Sequence, residues 1–140
     1  MRHLTLLAAW RHISHRVGRR GLFLLFLAFL DSASAVRFAW PSPDVLHTPA
    51  YVFLTRLAPL DLWAVLWAAV GALCLVQAFA ARDAVAFGFA AALKFLWAAL
   101  YVIAWAFDQV PQAYWSVALW VFAGAVVHVI STWPEPLEGD

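Results

Sequence analysis

Three apolar stretches, residues 61–81, 84–107 and 113–133, follow one another with almost nothing between them. Arg82-Asp83 separates the first two, and Asp108, Gln109, Pro111 and Gln112 separate the second from the third. A fourth, from Gly21 to Trp40, precedes them. A helix needs about 20 apolar residues to cross the hydrocarbon core of a bilayer, and each stretch is that long. Lipid offers no hydrogen bonds to a bare backbone, so spans of this kind are helical. Composition agrees: 66% of the 140 residues are hydrophobic and 12% are charged. An ordinary soluble domain runs at about 45–50% and about 25%. These values exclude a soluble enzyme and a disordered tail. The expected fold is all-α: an integral membrane protein whose four transmembrane helices form an antiparallel bundle. With only Arg82-Asp83 between them, the second and third spans are expected to form a tight helical hairpin.

The first twenty residues differ from the rest. Arg2, Arg11, Arg16, Arg19 and Arg20 lie here with His3, His12 and His15. Leu6, Trp10, Ile13 and Val17 fall on one helical face. Residues 1–20 therefore read as a basic interfacial helix, with Arg11, Arg16, Arg19 and Arg20 directed at an anionic membrane surface. The run from Leu22 to Leu30, preceded by Arg19-Arg20 and followed by Ala33-Ser34-Ala35, also has the layout of a cleavable secretory signal. Apolar character continues through Trp40 and three more spans follow, which favours an uncleaved anchor helix.

Residues 41–60 form the one long connection. Thr48-Pro49 has the pattern of an N-cap followed by proline at the first helical position. The short apolar segment around Tyr51, Val52, Phe53, Leu54 and Leu57 is too short to span and ends at Pro59. Six arginines (Arg2, Arg11, Arg16, Arg19, Arg20, Arg82) fall on one side of this topology and two (Arg37, Arg56) on the other. By the positive-inside rule both termini are expected in the cytoplasm. The organisation is then a basic segment 1–20, a transmembrane domain 21–133 and an acidic tail 134–140. Trp40, Trp63, Trp105, Tyr114 and Trp115 are expected at the outer interface, and Trp133 at the inner one.

Charges inside a span need partners. Asp31 lies eleven residues beyond Arg20, and Lys94 twelve beyond Arg82. At 1.5 Å per residue those depths are about 16 and about 18 Å. Opposite charges at matching depth point to an intramembrane ion pair between the first and third spans. It reads as a register lock or as the start of a polar pathway. Gln77 and His128 are the other intramembrane polar candidates, as interhelical hydrogen-bonding groups or, for His128, in proton handling. Ser32 and Ser34 can donate to Asp31 or back-bond to their own helix. Cys74 is the single cysteine, which excludes an internal disulfide and a multi-cysteine metal site. No catalytic grouping, metal motif, cofactor signature or nucleic-acid-binding pattern is visible.

Small residues recur every four positions at Ala64, Ala68 and Ala72, and again at Ala84, Gly88 and Ala92. This spacing suits close helix packing, within the hairpin or between copies. The partners expected are the lipid bilayer and either further copies of the chain or other membrane subunits.

Several stretches now combine. The basic lead-in precedes an apolar span and the loop Pro41-Ser42-Pro43. The hairpin reads Phe87-Gly88-Phe89 to Ala92-Leu93-Lys94-Phe95-Leu96-Trp97, and the chain closes on Ser131-Thr132-Trp133-Pro134-Glu135-Pro136. This resembles small four-helix membrane proteins of actinobacteriophages, several of which are called holin-like. The resemblance implies accumulation in the host inner membrane, lateral association and timed permeabilisation. Many holins end in a basic cytoplasmic tail, whereas this chain ends acidic, so the regulatory role of such a tail is not implied. A non-lytic scaffold or accessory subunit of a larger membrane complex is the second reading. A small transporter, ranked last, would place its substrate among Asp31, Lys94 and His128.

Overall fold

The structure is a computed structural model that describes residues 2–107 and 109–134, with side chains from Gly18 onward. The basic residues Arg11 and Arg16, and the acidic tail from Glu135, lie outside the described side chains. Six helices follow in order: α1 (Arg2–Ala39), α2 (Pro43–Leu46), α3 (Pro49–Leu57), α4 (Leu60–Gln77), α5 (Ala84–Ala106) and α6 (Ala113–Ser131). There is no strand among the described residues. Four helical segments are long and apolar enough to cross a membrane: Gly18–Ala39, Leu60–Gln77, Ala84–Ala106 and Ala113–Ser131. By length and composition this is a multi-pass membrane protein.

Gly18 breaks α1. Its φ of 64° and ψ of 178° are non-helical, a conformation that glycine adopts without the Cβ clash other residues meet. Beyond it, Leu24, Leu27, Ala28, Asp31, Ala35 and Phe38 are buried, and their spacing of three and four puts them on one helical face. Cleavage after Ala35 would remove Asp31 and most of this face from the bundle.

α1 packs along α4 and α5 along α6; the seam between α4 and α5 is much lighter. The expected α4–α5 hairpin therefore has the right direction but is not the principal contact. Side-chain size explains the difference. At Gly71 of α4 a Cβ would stand 3.1 Å from Ser32 Oγ and 3.3 Å from the Ala28 carbonyl. At Gly124 of α6 it would stand 3.0 Å from the Phe95 ring of α5. These two notches let each pair of helices close up. Between α4 and α5, by contrast, the rings of Trp63, Trp67 and Trp97 intervene.

The connections also differ from the simple reading. α4 stops at Gln77, short of Ala81, and residues 78–83 form a turn with Ala80 N–H donating to the Gln77 carbonyl. Thr48 precedes α3 in extended conformation, as a residue before proline should. Its hydroxyl does not cap α3 and instead donates to the Val45 carbonyl at 2.7 Å. α3 lies at the Arg37 end of the bundle and buries Tyr51 and Leu54. Gln112, the residue before α6, takes a left-handed conformation (φ 59°) uncommon for a side chain of its kind.

Candidate functional site

The interior is organised around two charges. Asp31 comes from the buried face of α1. Lys94 comes from α5, where Ala86, Phe87, Ala90, Leu93, Lys94, Trp97 and Ala98 form one buried face. The Lys94 ammonium donates to Asp31 Oδ1, and the two residues are 3% and 0% exposed. Lys94 Nζ also stands 4.7 Å from the centre of the Trp67 ring, within cation–π range. Asp31 Oδ2 and Trp67 Nε1 are buried without a hydrogen-bond partner in the protein.

An aromatic cluster closes one side of this pair. Trp97 lies edge-on to Trp63 at 5.3 Å, to Trp67 at 5.1 Å and to Phe38 at 5.5 Å between ring centroids. Trp120 of α6 joins at 5.5 Å from Trp67, and Tyr51 of α3 at 5.7 Å from Phe38. These separations are those of favourable edge-to-face and tilted aromatic pairs. Trp63 is thus a core residue and not part of an interfacial belt; its indole N–H donates to the Leu54 carbonyl at 3.2 Å. Trp40, Trp105, Tyr114, Trp115 and Trp133 are exposed. The cluster was missed from sequence. Its signal was the four-residue step from Trp63 to Trp67, with Trp97 three residues beyond the one lysine.

Arg20 is used inside the protein as well. Its guanidinium donates to Asp83 Oδ1 at 2.6 Å and to the Trp133 carbonyl at 3.3 Å, and its Cζ lies 5.1 Å from the centre of the Phe87 ring. One side chain therefore ties α1 to the α4–α5 turn and to the end of α6. Arg20, expected at the membrane surface, is thus engaged within the protein with a side chain 18% exposed, whereas Arg19 is exposed. At the opposite end Arg37 donates to the Tyr51 hydroxyl at 3.0 Å and Arg56 to Gln109 Oε1 at 2.9 Å.

The remaining candidates are dispersed. Gln77 Oε1 accepts the Ala86 N–H at 2.8 Å, satisfying one of the donors that the first turn of α5 leaves free. His128 is exposed on α6, away from the ion pair. Ser34 back-bonds to the Leu30 carbonyl at 3.0 Å. Of the small-residue series only Ala64 is buried; Ala68, Ala72, Ala84, Gly88 and Ala92 face outward, and a Cβ on Gly88 would meet nothing within 4 Å. They do not mediate the internal packing, because the internal crossings use Gly71 and Gly124. No group of three or more metal-ligating side chains occurs among the described residues.

The ion pair joins α1 to α5 across the interior. The one thiol, Cys74, is buried. Comparison with protein-family descriptions, with curated proteins and with solved structures found no match to this chain.

Proposed function

We propose that this chain is a holin-like protein of bacteriophage type, which gathers laterally in a bacterial inner membrane and permeabilises it. The observation that carries the lateral part is the outward stripe Ala84, Gly88 and Ala92, with open space over Gly88. Without a hydrophobic driving force between helices in lipid, close approach at small residues is what favours association. The interior of a single copy is filled by four tryptophans and an ion pair. Any aqueous lesion then forms between copies and not through one. The excess of arginines at the Arg20 end, counting Arg2, Arg11 and Arg16 of the sequence, supports cytoplasmic termini.

A second reading is a non-lytic scaffold or accessory subunit. It draws on the same outward stripe together with a core cross-linked by Asp31–Lys94 and by Arg20. A core held in one arrangement suits a permanent subunit.

Inducible expression in a bacterium, with membrane potential and dye uptake followed over time, separates the two. Holin-like action gives an abrupt loss of potential after a quiet interval, and Gly88→Leu delays or abolishes it. Sustained growth with the protein verified in the membrane overturns the proposal in favour of the scaffold.

A further inference from the structure

The polar centre of the bundle does not close on itself. Asp31 accepts from Lys94 through Oδ1 alone, and its Oδ2 has no partner in the protein. Trp67, 1% exposed, has an indole N–H with no acceptor. Lys94 carries three N–H donors, of which one is directed at Asp31 Oδ1. All of these groups gather around a single ammonium, which contacts Asp31 and lies over the Trp67 ring. A buried donor or acceptor left bare carries its full desolvation cost. Lipid outside the bundle has no hydrogen bond to offer in exchange.

We propose that the centre of the bundle binds ordered water, held by Asp31 Oδ2, by the remaining N–H groups of Lys94 and by the Trp67 indole N–H. Water is the ligand whose chemistry fits this set. It donates to the free carboxylate oxygen and accepts from ammonium and indole, and buried waters make two to four such bonds. A metal cation would be repelled by the ammonium already seated there, and an anion by Asp31. Among the buried residues described, Asp31 Oδ2 and the Trp67 indole N–H are the polar atoms near the pair left without a partner in the protein, so these are the points at which water is held. The inference does not depend on whether the protein permeabilises membranes.

Solid-state NMR on the full chain in phosphatidylethanolamine–phosphatidylglycerol vesicles tests it, with polarisation transferred from water to protein. Lys94 is the sole lysine, so a lysine-specific ¹⁵N label reports its ammonium directly. The Trp67 indole signal is identified by its loss in Trp67→Phe. Both signals should build up several-fold faster than the methyls of Leu24 and Val127, which are buried in apolar surroundings. Build-up at the methyl rate means a dry centre and overturns the proposal. Methyls that build up equally fast mean general solvent entry and overturn it too. In the double variant Asp31→Leu with Lys94→Met, the Trp67 signal should fall to the methyl rate; persistence at the original rate would show that these groups do not hold the water.

Discussion

Truncating the two interior charges one at a time should have unequal effects. Asp31→Ala and Lys94→Ala each strand the other charge in a site where the two residues are 0% and 3% exposed. Removing one partner of a buried pair costs about 3–5 kcal/mol. The stranded ammonium keeps one attraction, the Trp67 ring 4.7 Å away, worth about 2 kcal/mol where water is excluded. The stranded carboxylate keeps no comparable contact, since its Oδ2 has no partner in the protein. Lys94→Ala also deletes a long aliphatic stem from the packed face of α5. Asp31→Ala should therefore fall near 3 and Lys94→Ala near 5, as order-of-magnitude values (~3 and ~5 kcal/mol). Asp31→Leu with Lys94→Met, which removes both charges and keeps the branched and linear shapes of the two side chains, should return to within about 1 kcal/mol of the parent or exceed it. The exchange Asp31→Lys with Lys94→Asp should recover only part, because it moves the ammonium off the Trp67 ring. Reversible unfolding in mixed micelles, followed by fluorescence of the tryptophan cluster, measures all four. Single alanine losses below about 1 kcal/mol would sink the argument. So would a reversed order, or a double apolar variant as damaged as the sum of the singles.

Arg20→Ala should lower stability by about 1.5–3 kcal/mol, the range for hydrogen bonds to a charged group, while Arg19→Ala stays within about 0.5 kcal/mol. Arg20→Lys should restore only part of the loss, because an ammonium lacks the planar fork that reaches Asp83 and the Trp133 carbonyl together; the same unfolding assay compares the three. Gly71→Ala should cost about 1–3 kcal/mol by forcing α1 and α4 apart. Gly88→Ala, on open surface, should leave the single copy unchanged or up to about 1 kcal/mol more stable; equal effects at the two glycines would contradict the packing described.

The four spans were legible because lipid leaves a chain few options and a helix has constant rise. That same rise made Asp31 and Lys94 comparable in depth, and the structure brings them together. The packing faces were not legible. Alanine is so common here that Ala84, Gly88 and Ala92 look like a contact stripe wherever they point. The notches in use, Gly71 and Gly124, stand four residues from Trp67 and Leu75 and from Trp120 and His128. A glycine between large neighbours receives a ridge from the adjacent helix, and no repeat of small residues marks it. Trp63 was misplaced for a related reason: near the end of a span, an indole suits a headgroup layer as well as a core. Only the neighbouring ring of Trp97, more than thirty residues away in the chain, decides between them.

The ion pair also has a history in time. Asp31 and Lys94 are 63 residues apart, and synthesis at about 5–20 residues per second puts roughly 3–13 s between their emergence from the ribosome. Over that interval the first apolar helix holds a carboxylate whose partner does not yet exist. Its commitment to the bilayer is therefore provisional until α5 arrives, and a nascent chain arrested before Lys94 should be the form most readily withdrawn and degraded.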